Sequence, residues 1–217
     1  SASSVLVSFI AFLYMNGSVV VGDKHAHKMT VHLPQLLYFL LFYGVFGLPY
    51  VLSKSFSTLK IIFKNKMFFL LLAIMFVLIV RFNTIAHPYL LADNRHYTFY
   101  VWNRWFGKYY YARYATIPAY IFLLFNLYDN LKDQNCISFL LPYSMSLFLV
   151  LALQELVDIR YFLVPYVILR LRFVRPSFNM VIGELVWYIL LNVITFHLFF
   201  TKDIIWKDFN DIQRIIW

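Results

Sequence analysis

The 217 residues carry 62% hydrophobic and only 13% charged side chains, with a mean hydropathy of +0.70 and a formal charge of +9. Soluble domains average about 25% charged residues, so the composition excludes a soluble globular chain and makes this an integral membrane protein. The 19 Lys and Arg lie scattered between apolar runs and form no stripe, which excludes a nucleic-acid surface and points to anionic lipid headgroups or a phosphorylated lipid as partners.

In chain order, residues 1–22 form an apolar run long enough to cross a bilayer as a helix. The chain opens on Ser1 with no basic segment ahead of that run, so no cleavable signal is evident. The expectation is a processed chain or the C-terminal piece of a longer one. A polar link follows, with Asp23, Lys24, His25, His27 and Lys28, and His32 just beyond it. Residues 34–52 are the second expected span, with Pro34 suited to its first turn. Lys54, Lys60, Lys64 and Lys66 then occupy a connector without an acid, which the positive-inside rule places in the cytoplasm. Residues 67–86 make the third span, with Arg81 near its far end where it can snorkel.

The stretch 85–105, IAHPYLLADNRHYTFYVWNRW, is no ordinary connector. Loops that only join elements tend to use Gly, Ser and Pro. This one gathers Asp93, Asn94, Arg95 and His96 among Tyr89, Tyr97, Phe99, Tyr100, Trp102 and Trp105. An aromatic belt with snorkelling charges is one reading; a pocket for a polar ligand at the membrane surface is the other. Residues 109–128 and 136–153 are the fourth and fifth spans, and 177–201, containing Glu184, is the sixth. Between them, 154–175 holds an apolar run about half the length of a spanning helix and broken by Pro165. A re-entrant or interfacial element is expected there, and an interfacial helix in the tail from 202 to 217. The fold class predicted is an all-α, polytopic transmembrane bundle forming a single domain.

With the lysine connector in the cytoplasm, alternation places three polar clusters on the opposite face: Asp23, Lys24, His27 and His32; His87, Asp93, Asn94, Arg95 and His96; and Glu155, Asp158 and Arg160. Charge counting alone does not fix that orientation, since it leaves more Lys and Arg opposite than cytoplasmic. Acids, imidazoles and guanidiniums are expensive to keep in so apolar a chain. Together they suit an enzyme that handles a lipid phosphate, with Arg and Lys holding the phosphate and a carboxylate activating a hydroxyl. His25, His27 and His32 have no Cys nearby to complete a closed zinc set, and no metal or cofactor is expected. Glu184 is expected to satisfy a buried hydrogen bond or line a cavity, and Arg170, Arg172 and Arg175 to mark a basic membrane edge.

Three segments carry a resemblance: GDKHAHKMTVHLPQLLYF at 22–39, HPYLLADNRHYTFYVWNR at 87–104 and LQELVDIRYFLVPYVILRLR at 153–172. They resemble the C-terminal half of the endoplasmic-reticulum α-1,2-glucosyltransferases that add the last glucose to the dolichol-linked oligosaccharide. The run E..DIRYFLVP from Glu155 to Pro165 is also similar, more loosely, to a motif of lumenal mannosyltransferases using the same kind of donor. The resemblance implies a multi-pass GT-C-like enzyme of the endoplasmic-reticulum membrane facing the lumen. Its donor would be dolichyl-phosphate glucose, its acceptor the lipid-linked oligosaccharide, and its chemistry a single inverting displacement. Members are about twice as long and carry an Asp-Glu pair in a first lumenal loop that has no counterpart here. The catalytic acid is therefore expected in an N-terminal half of the same protein, with Asp93 the local candidate. On this reading Arg95, Arg160 and Lys24 stand near phosphate, Asp93, Asn94 and His96 meet sugar hydroxyls, and Tyr97 and Trp102 wall the site. Asp23, His27, His87 and Glu155 complete the substrate-binding set. The alternative is a non-catalytic membrane interaction subunit, such as a potassium-channel regulator.

Overall fold

A computed structural model describes residues 2–17, 30–92, 95–132, 137–173, 176–205 and 212–215. It is an all-α membrane protein with one small β pairing. Its helices, in order, are α1 (Ala2–Asn16), α2 (Pro34–Phe46), α3 (Leu48–Lys64), α4 (Lys66–Asn83), α5 (Pro88–Ala92), α6 (Tyr97–Val101), α7 (Ala112–Ala115), α8 (Ile117–Leu131), α9 (Ile137–Leu147), α10 (Arg160–Arg170) and α11 (Phe178–Thr201). α6 and α9 each run on into a π-helical turn, Trp102–Phe106 and Phe148–Ala152. Among the described residues, two helices, α4 and α11, are long and apolar enough to cross a membrane, and α2 with α3 would make a third span if the bent pair is counted as one. The tail, read from sequence as an interfacial helix, instead pairs β1 (Asp203–Ile204) antiparallel with β2 (Gln213–Arg214). The alternation of charged and apolar residues there has the period of a strand as well as that of an amphipathic surface.

The stretch expected as one span at 34–52 is broken. α2 and α3 meet at 104°, and the sequence dictates where. Pro49 has no N–H, so the carbonyl of Val45 four residues earlier has no helical donor. Trp187 of α11 supplies one, its indole Nε1 donating to Val45 O at 2.7 Å. Gly47 occupies the corner because a Cβ there would sit 2.8 Å from Tyr43 O and 2.9 Å from the Tyr43 ring. Trp187→Phe keeps an aromatic ring at the position but strips the donor. We expect a loss of about 1 kcal/mol, the usual net worth of one hydrogen bond, visible as a lower melting temperature in detergent. An unchanged melting temperature would mean the elbow holds without that bond.

α4 runs back alongside α2: its last residue, Asn83, accepts from Leu33 N at 2.5 Å and donates to Val31 O at 2.9 Å. α3 is therefore a crossbar joining the far ends of two antiparallel helices. α8 fills the elbow. Gly44 lets α2 approach Leu123 closely, the small-residue contact usual between membrane helices. Below it, Asn126, fully buried, accepts from Tyr43 OH at 2.6 Å and donates to Thr58 Oγ1 at 2.9 Å and Val51 O at 3.2 Å. Asn130 adds bonds to Tyr43 OH and Asn126 Oδ1, both at 3.1 Å. One amide thus ties α2, α3 and α8 together, and at the same end Asp129 meets Lys132 at 2.6 Å.

α10 begins beside the cluster that contains His96 and ends at Arg170, whose guanidinium grips Glu184 near the start of α11. The second half of α11 then returns to Val157, Ile159 and Phe162. α10 and α11 are an antiparallel pair of unequal length. The end of α11, and the β pairing that follows it, lie on the face that bears His96 and Asp158.

Candidate functional site

The site is assembled on the face where α2 begins, α4 ends and α10 begins. His32, through its backbone amide, and Gln35, through its side chain, hold the segment that leads from α9 to α10. The amide of His32 donates to Ala152 O at 2.7 Å, and Gln35 Nε2 donates to Leu156 O at 2.7 Å and Gln154 O at 3.2 Å. At the ring itself, Ile85 N donates to His32 Nε2 at 3.3 Å, which places the imidazole proton on Nδ1. Burial lowers the pKa of His32, outweighing the backbone of Glu155 and Gln154 and the Glu155 charge that favour the cation. A neutral His32 therefore joins the strand-like segment after α4 to the segment that carries Glu155 and Asp158.

Asp158 is almost wholly buried and Arg160 is exposed. The Asp158 carboxylate accepts from the Arg160 backbone N–H at 2.9 Å and from its Nε at 3.1 and 3.0 Å. Burial would raise the Asp158 carboxyl, but the Arg160 hydrogen bonds and charge, with a contribution from His96, hold it below the ordinary carboxylate range. The same bonds push the Arg160 guanidinium further up. This is a forked charge pair with its cation turned outward, and the lowered carboxyl makes Asp158 a poor base.

The neighbours of these polar residues line an apolar cavity of about 430 Å³. Val157 and Ile159 flank Asp158, and Tyr97 follows His96. Across from them, Phe42 and Phe46 of α2, Trp102 and Trp105 of the π turn and Leu191 of α11 close it. Phe42 stacks on Phe46 with centroids 4.3 Å apart and meets Phe162 at 5.8 Å. Arg113 lies over the Trp102 ring at 4.7 Å. The arrangement offers a charged rim for a polar head and an aromatic interior for a chain.

Of the residues singled out from sequence, Asp23, Lys24 and His27 lie outside the described residues, as do Asp93 and Asn94. His96, Tyr97, Trp102, Glu155 and Arg160 come to this one face, with Tyr97 and Trp102 in the cavity wall. His87 is buried at the turn into α5, and Arg95 is half-buried just before α6. Sequence reasoning missed Gln35, Tyr38, Phe42 and Phe162. The repeated aromatics of α2 were readable as packing, and nothing local marks them as cavity walls.

The fold and this face define a polytopic membrane protein with a charged rim over an apolar cavity. Residues 2–171 match the DIE2/ALG10 family, and the chain belongs to it. It is 44% identical over 217 residues to the Drosophila melanogaster Dol-P-Glc:Glc(2)Man(9)GlcNAc(2)-PP-Dol alpha-1,2-glucosyltransferase, covering 99% of this chain and 48% of that protein. A human protein of the same name is 42% identical over 96% of this chain and 44% of its own length. One from Arabidopsis thaliana is 30% identical over 98% and 43%. The chain thus spans about half the length of these relatives. No solved structure matches it.

Proposed function

We propose that this chain is the part of a GT-C-like, lumen-facing glycosyltransferase of the endoplasmic-reticulum membrane that holds the donor lipid phosphate. The reaction is transfer of glucose from dolichyl-phosphate glucose to the lipid-linked oligosaccharide in α-1,2 linkage, in the pathway of protein N-glycosylation. The names of the relatives support the substrates. The observation that carries the reading is the forked Asp158–Arg160 pair directly beside the apolar cavity, since a polyprenyl phosphate is an anion on an apolar chain. In this arrangement the chain's first isoprene units lie among Phe42, Trp102 and Phe162. Arg160 and Arg95 stabilise the charge that develops on the departing phosphate. Tyr97 and His96 stand where the sugar must pass. The base that deprotonates the acceptor hydroxyl comes from Asp93 or from the part of the protein beyond this chain. Expected spans are those at 1–22, 67–86, 109–128, 136–153 and 177–201, with α2 entering the membrane from the site face and the lysine crossbar α3 at the cytoplasmic boundary.

The test is glucose transfer by the full-length protein in microsomes, with dolichyl-phosphate glucose as donor. Arg160→Ala and Arg95→Ala are each expected to lower transfer by about a hundredfold or more, as removal of a charge-stabilising donor does, with normal membrane abundance. Near-normal transfer in both would sink the phosphate assignment.

A further inference from the structure

α3 has three distinct faces, and only one of them is used by the fold. At about 100° per residue, Tyr50, Val51 and Thr58 share the side packed against α8 and α11, and all three are buried. Leu52, Phe56, Leu59 and Phe63 fall within an arc of about 60° on the opposite side, and all four are exposed. Lys60, Ser57 and Lys64 fill the arc between these two. The exposed Lys66 continues it at the start of α4, and Lys60 lies over the Phe56 ring at 4.4 Å. Lys54 belongs instead to the packed side, where its charge acts on Asp129.

Position gives these faces a meaning. α2, with 13 residues, descends about 20 Å from the site face, and α4, with 18, climbs back about 27 Å. α3 crosses between their far ends after a 104° bend, so it runs along the opposite boundary of a hydrocarbon core about 30 Å thick. There an apolar stripe beside a lysine row has one fitting surround. No Asp or Glu occurs anywhere from Thr30 to Ala92, so the row has no acid of its own segment to meet.

We propose that α3 is an in-plane anchor that sinks Leu52, Phe56, Leu59 and Phe63 into the acyl boundary and presents Lys60, Lys64 and Lys66 to anionic phospholipid headgroups. The geometry matches that of interfacial helices generally. It is independent of the catalytic reading, since it concerns the face opposite the site.

The test uses the full-length protein in phosphatidylcholine vesicles with and without phosphatidylserine. A fluorophore on Phe56→Cys, with Cys136→Ser, is expected to be quenched by lipids brominated high on their chains. Phosphatidylserine retained on the purified protein is expected to exceed phosphatidylcholine, and to fall about fivefold for each of Lys60→Gln, Lys64→Gln and Lys66→Gln, the change one surface lysine makes near an anionic bilayer. The charge variants leave the packed face intact, so their melting temperature serves as the folding control. Quenching only by aqueous reagents, shielding from both, or equal retention of the two lipids would overturn the proposal. The second of these would mean that protein covers the stripe.

Discussion

Asp158→Asn should cut glucosyl transfer by the full-length enzyme by about a hundredfold while leaving its abundance in membranes unchanged. The effect runs through Arg160. Its guanidinium is exposed, and what fixes its direction is the fork to a buried carboxylate two residues earlier. An amide of the same shape offers one acceptor where the carboxylate offers two, and it removes the charge that keeps the pair together. A misplacement of about 1 Å in a group that must meet a developing charge is worth about two orders of magnitude in rate. Arg160→Lys is expected to fare little better, because an ammonium keeps the charge and loses the fork. The pH dependence separates this role from that of a base. The Asp158 carboxyl is held below its ordinary value, so the pair is fully formed above about pH 4 and is lost only as pH falls through the depressed folded-state value. An acid limb of the rate between pH 5 and 7 must then belong to another group, and it should persist in Asp158→Asn. Disappearance of that limb in the variant would make Asp158 a titrating participant and overturn the positioning role.

How much of this could be read from the sequence depended on whether the decisive partner was local. Membrane class and helical content follow from composition, and the polar clusters around His96 and Asp158 stood out because charge is rare in such a chain. The elbow at Gly47 was written in the sequence too, as a glycine two residues ahead of Pro49, but hydropathy alone runs straight through it. What hydropathy cannot supply is the indole of Trp187, more than a hundred residues away, that makes the broken helix tolerable. The cavity was hidden for the same reason. Phe42, Trp102, Phe162 and Leu191 come from four separate elements, and each alone is an ordinary apolar residue of a membrane helix. His32 and Gln35 hold backbone carbonyls rather than side chains, and a carbonyl partner leaves no trace in residue identity. The tail failed differently: short alternation fits both a surface helix and a strand, and the pairing of Ile204 with Gln213 decides it.

Glu184 and Arg170 carry the largest expected effect on stability. Read from sequence, one was a lone acid in a span and the other part of a basic edge. In the structure they are a single bidentate pair, Arg170 Nε to Glu184 Oε1 and Nη2 to Oε2, both 2.6 Å. Tyr50 OH donates to Glu184 Oε2 at 2.9 Å and Tyr188 OH to Oε1 at 3.1 Å, while the Arg170 guanidinium lies over the Tyr50 ring at 4.3 Å and also bonds its hydroxyl. The network joins α3, α10 and α11 at the foot of the cavity, where Tyr166, bonded to Tyr188 at 3.0 Å, packs on Phe42 and Phe46. Removing one partner leaves the other charge buried with only tyrosine hydroxyls to meet it, which destabilises by about 3–5 kcal/mol. Glu184→Ala and Arg170→Ala should each therefore strip most folded protein from the membrane. Replacing both with apolar groups of similar volume, Glu184→Leu with Arg170→Met, removes the charges together and is expected to restore much of what either single change loses. Thermal stability of the parent, Glu184→Leu, Arg170→Met and the double variant in one detergent closes the cycle and isolates the pair. Independent, additive losses would show that each residue is held by its tyrosines alone. A double variant that melts above both singles would show that α10 and α11 are clamped by one ion pair. Its cavity should then remain intact, because Phe162, the aromatic that α10 gives to its wall, lies about two turns from Arg170.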